Sequence, residues 1–417
     1  MIYVPLVYFF VLFVVVIKKC GLGMSACMIG AYAVSAFFSI VLYFAGYCYP
    51  LVDFRSITIS VFPTILYCVL ITICIIPFIQ FDYLKFDTLT PIRNGIAFKA
   101  LAYIFIFNTF LIVLLFSEPI IFNLSYGDLG ELRVNSFTEE AYASHLTGIS
   151  RVLSTPTTII GHVSYFAIPM FFYSLVVSPS KWIFNTFLLL SSMSPILLGF
   201  LNIDRSKTFY WVLLFVMCFA WFRKFLREAN QKKYIAVLGS VIITFVVVYF
   251  ISVTVSRFGE RDYGSDGAFI IYAGQSFLNF VNLWDNYENP IKSFFRIFPF
   301  FNFFFGGNQS TAEWCRITYV QSGMHINSFY TYLGAFLVDL GRVSVFIATV
   351  VISLFSKIIV DCVALKKKLS LSNVLLLFTF AIIIQCGVIS YFYTGIDRFM
   401  GLLFLCVFLL VFKYSGD

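Results

Sequence analysis

What most constrains this chain is a recurring run of apolar residues, such as 57–79 and 234–252. As a helix each is long enough to cross the roughly 30 Å hydrocarbon core of a bilayer. No water reaches peptide groups there, so only helices or a closed barrel can span. A barrel would alternate apolar and polar residues in segments of about ten, and these runs do not alternate. Composition agrees: 61% of the 417 residues are hydrophobic and 12% charged, against roughly 25% charged in a soluble domain. The expected fold is all-α, one polytopic transmembrane bundle over 1–417 of about eleven spans.

The spans read as 2–17, 22–44, 57–79, 96–116, 158–177, 182–201, 208–222, 234–252, 333–359, 371–389 and 398–414. The first is expected to be a retained helix, because Lys18 and Lys19 follow it, whereas a signal peptide carries its basic residues first. Segment 333–359 contains Asp339 and Arg342 and is expected to bend or break there. With the N-terminus outside, the short inner connections hold sixteen lysines and arginines against four in the short outer ones. That bias follows the positive-inside rule and puts the C-terminus in the cytoplasm. The net charge of +8 is thus a topology signal and does not point to nucleic acid.

This orientation leaves two long external loops, 117–157 and 253–328, and loops of that length are usually functional. In the first, TEEAYASHLTGISRVL has apolar residues at near-helical spacing and reads as an amphipathic surface helix. It is either a solvated cap or a place where Arg133 or Arg151 meets an anionic substrate. The second is the candidate active-site loop. It carries Arg257, Arg261, Arg296 and Arg316, the stretch YAGQSFLNFVN with Tyr272, Gln275 and Asn279, and the phenylalanine run PFFNFFFGGN. Arginine forks match phosphate oxygens and stay charged; the same arginines also suit attraction to lipid headgroups. Aromatic rings beside amides suit either a sugar cleft or an interfacial helix.

The loop ends in His325-Ile-Asn327-Ser-Phe and runs into the span holding Asp339 and Arg342, three residues apart. Ionisable residues inside a span are costly and default to functional hypotheses, an ion pair being the rival reading. No Walker loop, HExxH, GxSxG, CxxC or DxD occurs. Neither a metal nor a soluble nucleotide cofactor is expected.

Many spans, two external loops, arginines in the second, the HxNSF…G…DxG segment and YAGQSFLNFVN together resemble the bacterial Wzy-type O-antigen or capsule repeat-unit polymerases. These polymerases are related to the O-antigen ligases. The resemblance at sequence level covers about 257–342. It implies a glycosyltransferase of the inner membrane, acting at the periplasmic face in lipopolysaccharide or capsular polysaccharide biosynthesis. The substrate would be an undecaprenyl-diphosphate-linked oligosaccharide, and a chain-length regulator protein is a candidate partner. Arg257, Arg261 and Arg296 would offset charge on the diphosphate, with Arg316 and Arg342 nearby candidates. Tyr272, Gln275, Asn279 and Asn327 would contact sugar; His325 would be the base, with Asp339 second. A ligase using the same donor and a lipid-linked oligosaccharide flippase are the alternatives.

Overall fold

The computed structural model describes residues 1–47, 52–84, 89–92, 94–125, 148–178, 181–201, 204–226, 228–258, 264–287, 297–298, 316, 319–320 and 329–414. Among these the regular structure is helical, with isolated bridges at Leu89–Leu369 and Thr331–Ser390. The α-helices are α1 Val4–Cys20, α2 Met24–Ala45, α3 Val61–Tyr83, α4 Gly95–Ser125, α5 Gly148–Val163, α6 Ala167–Val177, α7 Trp182–Ser191 and α8 Ser194–Leu201. They continue with α9 Ser206–Phe222, α10 Ala229–Phe258, α11 Gly264–Asn286, α12 Thr331–Leu340, α13 Arg342–Lys366, α14 Leu371–Cys386 and α15 Ile396–Tyr414.

Among the described residues, seven stretches are long and apolar enough to cross a membrane: α2, α3, 95–123 of α4, α5 with α6, α7 with α8, 229–255 of α10, and α13. Their outward faces are as apolar as their inward ones. On α13, Val343, Ile347, Val350, Leu354 and Ile358 are exposed while Val345, Ile352, Val360 and Val363 are buried. On α10, Val237, Val241, Phe245 and Val248 are exposed. Apolar surface on this scale is stable beside lipid and not beside water, so the chain is a multi-pass α-helical membrane protein. Proline inside α3, α4 and α5 (Pro77, Pro119 and Pro156) fits that setting, since neighbouring helices can satisfy the freed carbonyls.

The chain forms two compact units. The first comprises residues 1–85, 266–366 and 379–399. In it α1, α2 and α3 pack together, α3 lies along α13, and α12 packs on α13. Its core is aromatic: Tyr67 meets Phe277 and Phe280 at ring-centroid distances of 5.1 and 5.6 Å, and Phe9 meets Tyr32 at 5.6 Å. The second comprises 86–265, 367–378 and 400–417. There α4 packs against α5, α7 and α8, and α9 against α6 and α8. Polar side chains join these helices: Asn108 Nδ2 donates to the Thr157 carbonyl at 3.1 Å, and Thr109 meets Ser194 at 2.7 Å. Each such bond in a membrane protein is worth on average about 0.6 kcal/mol.

Both long connections contain helix. Helix α4 continues to Ser125, and α5 already begins at Gly148, so both ends of 117–157 are helical. Residues 138–147 of the expected surface helix lie outside the described residues. Within 253–328, the stretch 264–286 is α11, and 274–281 are buried all round. Helix packing inside a membrane protein rests on close contact and hydrogen bonds, so a buried helix there need not be apolar.

Candidate functional site

The site grows from α11, whose entry is set by its packing on α2. The Ser35 hydroxyl donates to the Ala273 carbonyl at 2.9 Å, and Ser39 to the Gly274 carbonyl at 2.6 Å. Gly274 permits this crossing, because a Cβ there would lie 2.4 Å from the Phe38 carbonyl oxygen. Small residues that let helix backbones touch are the usual device of membrane packing.

Tyr272, Gln275 and Asn279 follow at helical spacing and share a face. Gln275 and Asn279 are 1% and 4% exposed; Tyr272 is half-buried. Asn279 Nδ2 donates to the Phe329 carbonyl at 2.9 Å and approaches Gln275 Oε1 at 3.3 Å. The Tyr272 ring meets the Phe329 ring edge-on at 5.1 Å. Phe329 ends the His325-Ile-Asn327-Ser-Phe motif, so the two sequence elements that suggested a function are joined here. His325, Asn327, Arg261 and Arg296 themselves lie outside the described residues. Arg257 sits in the last turn of α10, and Arg316 is exposed.

Directly after Phe329 the backbone is strained. Thr331 has φ +65°, a left-handed conformation that costs a β-branched residue of order 1–3 kcal/mol. It is held by hydrogen bonds from the Thr331 and Tyr332 amides to the Ile389 and Gly387 carbonyls, each 3.0 Å. These bonds seat the first turn of α12 on the chain after α14 and satisfy donors that a helix start leaves open.

The expected break in 333–359 falls at Gly341, whose φ of +83° ends α12 before α13 begins. Asp339 and Arg342 are therefore on two helices and do not share one helical face, as their spacing implied. The Arg342 guanidinium donates through Nε and Nη2 to the Trp284 carbonyl at 3.1 and 2.6 Å, and lies over the Trp284 ring. Asp339 is 0% exposed and its Oδ2 accepts the Ile297 amide at 2.9 Å. The Tyr287 hydroxyl lies 3.4 Å from the Val338 carbonyl.

Other boundary arginines donate to backbone carbonyls. Arg55 donates through Nη2 to the Phe44 and Ala45 carbonyls, closing the end of α2, and Arg398 donates to the Phe392 carbonyl at 2.8 Å.

No family model matches this chain, and neither a curated protein nor a solved structure does. The chemistry of the site rests on its own residues. Among the described residues no three His, Cys, Asp or Glu side chains gather as metal ligands.

Sequence reasoning passed over Ser35, Ser39, Trp284 and Arg205 with Lys207. The last two are each 4% exposed, and Arg205 bonds the Thr254 hydroxyl. The available signal was their position: two cations beside the polar start of α9, where a solvated boundary would leave them exposed.

Proposed function

We propose that the protein is an inner-membrane glycosyltransferase that polymerises undecaprenyl-diphosphate-linked oligosaccharide repeat units at the periplasmic face. The observation that carries this reading is the Asn279–Phe329 hydrogen bond with the Tyr272–Phe329 ring contact. It brings the YAGQSFLNFVN element against the end of the HxNSF element, so the resemblance to repeat-unit polymerases rests on one place in the fold.

In this reaction a hydroxyl of the acceptor repeat unit attacks the anomeric carbon of the donor sugar. The glycosidic bond forms, the sugar–phosphate C–O bond breaks, and undecaprenyl diphosphate leaves with the electron pair. His325 takes the hydroxyl proton as general base. Arg257, Arg261 and Arg296 offset the charge that develops on the diphosphate, the electrostatic term that is often the largest in catalysis. Tyr272 and Asn327 contact sugar, while the buried Gln275 and Asn279 position the end of the HxNSF segment through the Phe329 carbonyl. The reading includes about eleven spans with the N-terminus outside.

A surface-polysaccharide gel on a strain lacking the gene, complemented with the wild-type or His325→Ala chain, tests it. The expected result is a ladder collapsed to one repeat unit on the lipid core, restored by wild type and not by the variant. Long polymer left on its carrier would make the protein the ligase. Repeat units trapped inside the cell would make it a flippase.

A further inference from the structure

Asp339 poses a physical problem that a role as base does not solve. A carboxylate with no exposed surface inside a membrane domain is expensive unless donors reach it. A general base must come within about 3 Å of the proton it removes, and a side chain sealed in the wall of α12 offers acceptor sugar no such approach. Its Oδ2 instead accepts the backbone amide of Ile297, 42 residues earlier and itself 0% exposed. A buried amide outside a helix also needs an acceptor. The bond gives the buried amide its acceptor and one carboxyl oxygen its donor.

The surroundings repeat the pattern. Arg342, just past the Gly341 break, takes the Trp284 carbonyl near the end of α11, and Asn279 takes the Phe329 carbonyl just before α12. Three polar side chains thus bond backbone atoms at Trp284, Ile297 and Phe329, which lie in the last turn of α11, in the course of the connection from α11 to α12 and at its end. That connection carries Arg296, Arg316, His325 and Asn327 in sequence.

We propose that Asp339 is a positioning residue: its carboxylate seats Ile297, the residue after Arg296, on the end of α12. The proposal rests on the reading of this connection as the reacting segment, and it assigns Asp339 no proton transfer. Arg342 and Asn279 fasten the flanks of the same connection.

The test is amide hydrogen exchange on the purified full chain in lipid nanodiscs, resolved to the peptide containing Ile297. Wild type should protect this amide. Asp339→Asn, which keeps a carbonyl oxygen in place, should exchange within about threefold of wild type, and Asp339→Ala about tenfold faster, as the loss of one buried hydrogen bond implies. Should the alanine chain fail to fold, Arg342→Ala should still leave the Ile297 amide protected while the Trp284 end of the connection loosens. In the deletion strain, Asp339→Asn should restore a ladder, shortened, where Asp339→Ala restores much less. Unchanged Ile297 exchange in Asp339→Ala overturns the proposal. So does an Asp339→Asn chain that keeps the amide protected yet makes no polymer, because its failure would then come from lost proton acceptance. If deletion of the gene leaves surface polysaccharide unaltered, the polymerase reading falls, and the exchange experiment decides the anchor without it.

Discussion

Asp82 shows how much a single ionisable residue can organise at the edge of a membrane domain. Its carboxylate accepts the Ser25 amide at 2.8 Å, the Ser25 hydroxyl at 2.6 Å and the Met24 amide at 3.3 Å. All three donors belong to the first turn of α2, so the end of α3 supplies the cap that Gly23 cannot. Helix starts leave amides open and carry partial positive charge. Asp82→Ala should therefore lower stability by about 1–2 kcal/mol, and Asp82→Asn by less, since an amide oxygen still accepts. Thermal unfolding in nanodiscs reads both; equal melting temperatures for alanine and wild type would remove the cap from the account. The same reasoning separates cap from catalyst among the arginines. Arg55 and Arg398 stood at outer boundaries in the sequence, yet each donates to backbone carbonyls. Sequence position marks a cation as near the interface, and only the fold tells which acceptor it meets.

Among the elements, α11 was the least legible. The apolar runs announced their helices, because lipid demands apolar side chains over a set length. The break at Gly341 was also legible, since Asp339 and Arg342 are too costly to lie on an unbroken lipid-facing span. Helix α11 carries Gln275, Ser276 and Asn279 in its middle, and its sequence suited a sugar cleft or an interfacial helix within the second loop. What no local pattern encodes is its packing against α2 through Ser35, Ser39 and Gly274. The Asp339–Ile297 bond was hidden for the same reason, its partners being 42 residues apart. Gly274→Ala tests the contact directly. The new methyl would sit 2.4 Å from the Phe38 carbonyl oxygen, so the helices must part, at a cost of about 1–3 kcal/mol. Ser39→Ala should cost about 0.6 kcal/mol, the usual worth of one interhelical bond. Gly95→Ala is the control, with no atom within 4 Å of the added carbon. If Gly274→Ala unfolds at the same temperature as Gly95→Ala, the crossing is looser than its geometry implies.

At the scale of the whole molecule the open quantity is which helices cross. Among the described residues, seven stretches meet the length on their own. Reaching about eleven requires α1, α9, α14 and α15 to cross as well. Helices α1 and α9 have 17 residues and α14 has 16, at the lower limit for spanning. Parity makes each one testable, because a helix that fails to cross flips every later connection to the opposite side. The charge pattern discriminates most sharply at α9. Before it stand Arg205 and Lys207, expected outside; after it come Arg223, Lys224, Arg227, Lys232 and Lys233, expected inside. Alkaline phosphatase fused after residue 205 should be active outside, and a fusion after residue 226 inactive there. Fluorescent protein after 226, after 368 and at the C-terminus should glow, as it folds in the cytoplasm. Phosphatase activity at both 205 and 226 would mean that α9 does not cross. The cluster after it would then face outward, the positive-inside count would lose its largest contribution, and the connection bearing His325 would move to the cytoplasmic face. No periplasmic polymerisation could follow from that arrangement, so this one pair of fusions bears on the proposed chemistry as well as on the fold.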